Sequence, residues 1–335
     1  MEDEGKDLEY YKSRIFDIIS KYLREASAGD NEYYKLLAEY SERRGSYSRP
    51  LLLALAAKEF GADEEHALLL AAVVQLSEDW ILALDDMHDN AEVRRGGPTL
   101  HMKYGRNLAE LAVAVESSAM WHMMHDLTTQ FGKEKRDALH NELYNIGVHT
   151  GHGQYIDLTA SGNVDVITSS DERKYFEIIN NKTVLYSVVG PLRLAAILAD
   201  KDKEFIGKIE EVGEPLGIAF QLNDDLLDME PEEVTKKSRY SDIYESKLTL
   251  LVMRAYGLAS SEEKARIVEI YRKRRSEKTK EDVEYMLALY EKYKVREYVK
   301  DKISQQLDLA KERLGGMLGD IGPAVDVVLS KLKRS

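Results

Sequence analysis

The sequence predicts an all-α protein, and three observations carry that expectation. Apolar residues recur at helical spacing along nearly the whole chain. Proline, which breaks helices, occurs only 6 times in 335 residues, while Leu, Ala, Glu and Lys are plentiful. No stretch shows the sustained apolar–polar alternation of a half-buried strand. The length fits one large helical domain, taken as residues 1–335, and is ample for a core.

The elements follow in order. Leu8, Tyr11, Ile15, Ile18, Ile19 and Tyr22 form one apolar stripe. A long pattern covers Glu64 to Met87, with Asp63 placed as its N-cap. It is apolar nearly all round from Ala67 to Leu76, as a central buried helix would be. Gly96-Gly97-Pro98 breaks the chain. Helical patterns resume at Asn107–Gln130, Lys133–Asp157, Glu172–Leu198 and Lys203–Leu227. The polar stretch Met229–Ser241 reads as a loop, and the segment from Ile243 onward alternates charged and apolar residues as surface helices do. A cavity is expected between the helices that end at Met87 and Leu227.

Composition excludes several functions. With Asp+Glu 60 against Lys+Arg 47, the net charge is −13, which argues against a nucleic-acid surface. There is no Cys, so disulfides, thiolate nucleophiles and Cys-ligated metals are ruled out. The acidic start Met1-Glu2-Asp3-Glu4 lacks an apolar signal region, and no uninterrupted apolar run approaches a membrane span. A cytoplasmic location is expected.

Two acidic clusters carry the chemistry. Asp85-Asp86-Met87-His88-Asp89 and Asp224-Asp225-Leu226-Leu227-Asp228 share the form DDxxD, and each ends an apolar helical run. On a helix the first and last Asp of each cluster share a face, where like charges are destabilising. Hard oxygen donors in this arrangement suit Mg²⁺, which binds through one or two carboxylates plus substrate phosphates. Two clusters facing each other would clamp a diphosphate. His88 is expected to point away from the metal.

These residues resemble the trans-isoprenyl diphosphate synthases, the polyprenyl synthetase family, over about Arg43 to Leu250. Asp85 to Thr99, which includes Arg94-Arg95-Gly96-Gly97-Pro98-Thr99, is similar to the family's DDxxD and RRGxPT stretch. Phe220-Gln221-Leu222-Asn223-Asp224-Asp225-Leu226-Leu227-Asp228 resembles its second Asp motif. Gly153-Gln154-Tyr155-Ile156-Asp157 resembles GQxxD, Lys182-Thr183 its KT pair, and Asp242, Glu245, Lys247 and Thr249 the run that follows. The resemblance implies an isoprenoid-synthase bundle, a homodimer, and an allylic diphosphate and isopentenyl diphosphate as substrates. It implies Mg²⁺ held by Asp85, Asp89, Asp224 and Asp228, with Asp86 and Asp225 in support. Arg94, Lys182, Lys237 and Lys247 would be cationic donors to the leaving diphosphate, and Arg49, Arg95, Gln154 and Gln221 further substrate contacts.

The sequence departs from the family pattern where isopentenyl diphosphate binds. Ser46 stands at a Lys position and Glu78 at a His position, while Arg49 and Arg95 remain. Arg43, Arg44, Lys331, Lys333 and Arg334 are candidates to balance the lost cation. Three readings follow: a short-chain prenyltransferase with a rearranged acceptor pocket, an enzyme that ionises an allylic diphosphate but uses another acceptor, or a non-catalytic partner subunit that binds prenyl diphosphates. Two complete Asp motifs favour the first. Trp80 and Ile81, about one turn before Asp85, are expected to floor the product tunnel and keep products in the farnesyl to geranylgeranyl range.

Overall fold

The computed structural model describes residues 2–169, 171–230 and 239–314. The fold is all-α. Its helices are α1 Glu2–Ala26, α2 Asn31–Leu37, α3 Glu39–Glu42, α4 Ser48–Phe60, α5 Glu64–Asp89, α6 Leu100–Tyr104, α7 Arg106–Thr128, α8 Lys133–Ala160, α9 Val164–Thr168 and α10 Glu172–Ile179. A π-helix, Asn180–Val189, is followed by α11 Gly190–Leu198 and α12 Lys203–Leu227. The remaining helices are α13 Ser241–Tyr244, α14 Leu250–Leu258, α15 Ser261–Arg272, α16 Lys280–Lys292 and α17 Val295–Leu314, with one 3₁₀ turn at Arg275–Glu277.

The chain packs as two compact units. The described residues of the first are 2–144 and 190–210, and those of the second are 145–169, 171–189, 211–230 and 239–314. In the first unit α5 packs against α1, α4 and α7, and α11 lies on α4. Leu52, Leu68, Leu70, Val73 and Leu76 are fully buried there. In the second unit α14 packs against α9, α10, α16 and α17 around Leu222, Leu250, Val252, Met286 and Val295.

Local chemistry sets the element ends. Asp63 caps α5 by accepting the His66 N–H at 3.0 Å. The expected single helix over 172–198 instead contains the ten-residue π-helix, because one-sided apolar spacing over ten residues does not distinguish an α from a π turn. The Gly-Gly-Pro break forms a small antiparallel hairpin, β1 Val93–Arg94 and β2 Gly97–Pro98. Its corner residues Arg95 (φ 50°) and Gly96 (φ 73°) give the doubly left-handed turn that matches strand twist.

Among the described residues α5 is the one helix long and apolar enough to cross a membrane, with 72% of its most apolar stretch buried in the protein. The helix qualifies by average hydropathy and length, not by an uninterrupted apolar run. Glu78 and Asp79 interrupt the apolar run, yet the helix stays apolar on average.

Candidate active site

The first Asp motif sits on the last turn of α5. In it Asp85 and Asp89 are half-buried and Asp86 is fully buried. Asp86 accepts a hydrogen bond from Tyr40 OH at 2.6 Å and from Arg94 Nε at 2.9 Å, and Arg94 Nη2 reaches the same carboxylate. Tyr40 OH in turn accepts the Leu100 N–H at 3.1 Å. The hairpin after α5 thus folds Arg94 back onto the motif. An expected donor to diphosphate is engaged in neutralising a buried carboxylate. Breaking such a pair leaves a buried charge, at a cost of about 3–5 kcal/mol.

One to two turns earlier on α5 lie Glu78 and Asp79, both buried. The Glu78 carboxylate is 3.2 Å from Arg49 Nη1 and 3.7 Å from Arg95 Nη2. Asp79 accepts from Arg95 Nη1 at 2.8 Å, Ser41 Oγ at 2.6 Å and Gln75 Nε2 at 2.9 Å. Burial raises the Asp79 carboxyl above its ordinary value, with Arg95 opposing the shift. Arg95 also donates to the Tyr40 carbonyl at 2.7 Å. A β-carbon on Gly45 would come within 2.9 Å of the Arg95 guanidinium, which would then have to shift. The positive charge sought to balance Glu78 is therefore Arg49 and Arg95. Arg43 pairs with Glu39, Arg44 stacks on Phe16 at 4.5 Å, and Lys331, Lys333 and Arg334 lie outside the described residues.

The second Asp motif ends α12, within the second unit. Here Asp224 and Asp228 are half-buried and Asp225 is buried. Asp225 accepts from Tyr175 OH at 2.8 Å and Gln221 Nε2 at 2.7 Å, and Gln221 accepts from Thr183 Oγ1 at 2.7 Å. Burial pushes Asp225 up to about 7 against the pull of those two hydrogen bonds. The two motifs therefore share one plan. In each, the second Asp is tied down by a tyrosine hydroxyl, while the first and last are half-buried.

Asp228 has a further duty. Its oxygens accept the Ser241 N–H at 3.0 Å and the Asp242 N–H at 3.1 Å, which seats α13. Burial and the nearby Asp228 hold Asp242 well above the ordinary carboxylate range, with Lys247 opposing. Lys247 Nζ and Lys182 Nζ both donate to Asp157 Oδ2, at 3.1 and 2.7 Å. One buried carboxylate thus gathers the two expected diphosphate donors. Lys182 and Thr183 lie on the π-helix, which Gly153 of α8 approaches closely.

The remaining expected residues divide simply. Gln154 is half-buried on α8, Trp80 and Ile81 are half-buried on α5, and His88 is exposed. Lys237 lies outside the described residues. Sequence reasoning missed Tyr40, Tyr175, Asp79 and Glu116. Nothing singled out two tyrosines among 20, and Asp79 and Glu116 sit in apolar helical patterns without a motif.

The donor set fits Mg²⁺. Asp85 and Asp89 are paired one turn apart, and Asp224 and Asp228 repeat the arrangement, all with hard oxygen ligands. Mg²⁺ keeps waters and substrate phosphates as ligands, so pairs of carboxylates are the expected form. Among the described residues no three His, Cys, Asp or Glu side chains gather into an all-protein cage.

Comparison with known proteins agrees with this geometry. The sequence profile of the family described as Polyprenyl synthetase matches residues 30–290. The chain belongs to the polyprenyl synthetase family. It is an enzyme of the isoprenyl diphosphate synthase type, a prenyltransferase. The short chain isoprenyl diphosphate synthase of Methanothermobacter thermautotrophicus is 30% identical over 81% of this chain and 80% of its own. The geranylgeranyl diphosphate synthase of Saccharolobus solfataricus is 31% identical over 81% of this chain and 79% of its own. The fold matches a polyprenyl synthase of Caulobacter crescentus, crystallised with calcium and isoprenyl diphosphate, at a TM-score of 0.86 and 22% identity over 99% of this chain and 97% of the other. This polyprenyl synthetase thus pairs the family's fold with the acidic residue Glu78 between Arg49 and Arg95.

Proposed function

We propose that the protein condenses an allylic diphosphate with isopentenyl diphosphate, releases diphosphate, and makes products in the farnesyl to geranylgeranyl range. The observation that supports this best is the shared plan of the two Asp motifs. Each buries its second carboxylate against a tyrosine and keeps its first and last on one helical face. Residues 1–335 act as one catalytic domain, and two chains act together as a homodimer in the cytoplasm.

In this reading the Asp85–Asp89 pair and the Asp224–Asp228 pair each bind Mg²⁺, with Asp228 also seating the α13 turn. When bound, Mg²⁺ stabilises charge on the leaving diphosphate. Lys182 and Lys247, gathered at Asp157, donate to the departing oxygens. Asp86 and Asp225 act as positioning residues that keep their helix ends fixed. The allylic C–O bond breaks with its electron pair going to the diphosphate. The double bond of isopentenyl diphosphate attacks the carbocation, and the proton then lost passes to the departed diphosphate. No protein nucleophile is needed, but water must be excluded.

Glu78 favours one second reading, in which the cation passes to an acceptor without a diphosphate. A product assay separates the two. Protein with Mg²⁺ receives dimethylallyl, geranyl or farnesyl diphosphate, each with and without labelled isopentenyl diphosphate. Elongated labelled products are expected. Diphosphate release without label incorporation would overturn the isopentenyl reading and support the second.

A further inference from the structure

We propose that Glu78 is a built-in counter-ion that competes with the acceptor's diphosphate for Arg49 and Arg95, and so sets the KM for isopentenyl diphosphate. This rests on isopentenyl diphosphate being the acceptor.

The charges around the two guanidiniums already balance. Arg49 and Arg95 face Glu78 and Asp79. Glu116 is also buried in this unit, and burial and then Asp79 hold its carboxyl well above the ordinary value. Ser46 contributes a neutral hydroxyl 3.3 Å from that of Ser48. An arriving diphosphate therefore meets guanidiniums that already face carboxylates.

The two carboxylates are held differently. Asp79 is locked by short bonds from Ser41, Gln75 and Arg95 at 2.6, 2.9 and 2.8 Å. Glu78 stands 3.2 and 3.7 Å from its two arginines, longer than the 2.7–2.9 Å usual for a charge-assisted hydrogen bond. Arg95 Nη2 consequently has no hydrogen-bond acceptor, although the side chain is only 10% exposed. A buried donor left in that state is costly. The guanidinium fork matches phosphate oxygens, so a diphosphate would complete it where Glu78 does not. Arg95 is also kept in the left-handed region at φ 50°, a strained setting that aims its side chain here.

The test is a set of initial rates with geranyl diphosphate held saturating and isopentenyl diphosphate varied, for wild type, Glu78→Gln and Glu78→Asp. Removing the charge with Glu78→Gln is expected to lower the isopentenyl KM by about fivefold to tenfold. Glu78→Asp, which keeps the charge, is expected to stay within about twofold of wild type. An isopentenyl KM that is unchanged or raised in Glu78→Gln would overturn the proposal. So would an equal drop in both variants, which would assign the effect to side-chain size. Calorimetric titration with isopentenyl diphosphate separates this from the acceptor reading. If wild type makes no elongated product, that reading fails. If it does, and Glu78→Gln binds isopentenyl diphosphate no more tightly, the counter-ion role alone fails.

Discussion

At the scale of single residues, the chain separates holding from reacting. Asp86 and Asp225 hold, each through a tyrosine hydroxyl, while in the proposed function their neighbours on the same turn meet the ions. In the proposed function Trp80 belongs to the reacting side. It lies five residues before Asp85, half-buried, and its indole N–H has no hydrogen-bond partner. A Trp so placed fills a large volume without being anchored at its polar end. Trp80→Ala should lengthen the product, read by chromatography of the dephosphorylated alcohols. An unchanged length distribution from a folded variant would show that Trp80 only packs. The acidic residues were legible in the sequence because their spacing alone implies a shared helical face. Tyr40 and Tyr175 were not, because they reach Asp86 and Asp225 across 46 and 50 residues of chain, and such pairing leaves no local pattern. Glu78 was visible as a departure from a motif, but its pairing with Arg49 and Arg95 needed coordinates.

At the scale of elements, the approach of α8 to the π-helix sets where Lys182 sits. A β-carbon on Gly153 would lie 2.3 Å from the Lys182 backbone N and 2.7 Å from its Cα. Backbone cannot yield as a flexible side chain does, so Gly153→Ala must push the two elements apart. Overpacking of this kind costs about 1–3 kcal/mol, to be read from denaturant midpoints. The displacement should also lower kcat, because Lys182 and Lys247 would no longer meet at Asp157. A variant with wild-type kcat would show that the lysine position tolerates the shift. The bounds of α5 and α12 were readable within a few residues, since Asp63 and the apolar periodicity mark them. The π-helix was not, because its wider turn depends on contacts made by neighbouring elements.

At the scale of the whole molecule, the two-unit packing left no mark in composition. No Pro- or Gly-rich linker falls at 144/145 or 210/211, and Gly190-Pro191 at 189/190 opens a helix rather than a linker. Folding stability offers a global readout of one buried group. Lys278 donates to the Tyr244 carbonyl at 2.7 Å and to Ser246 Oγ, and burial pulls it down to about 8. Its folded pKa lies below the unfolded value, so the unfolded chain binds more protons between about 8 and 10.5. Stability from this group therefore rises with pH across that window. Wild type should gain about 1–2 kcal/mol relative to Lys278→Met between those limits, after solvent screening. Parallel pH curves for the two proteins would refute it.

The composition of α5 has a consequence for how the chain is made. As it leaves the ribosome, this helix offers a stretch that insertion machinery reads by hydrophobicity. An Asp near the centre of a span opposes insertion by about 2.5–3.5 kcal/mol. Glu78 and Asp79 lie within a turn of the middle of Glu64–Asp89. The carboxylates that face Arg49 and Arg95 in the finished protein thus also raise the cost of placing this helix in a bilayer, before either arginine has found them.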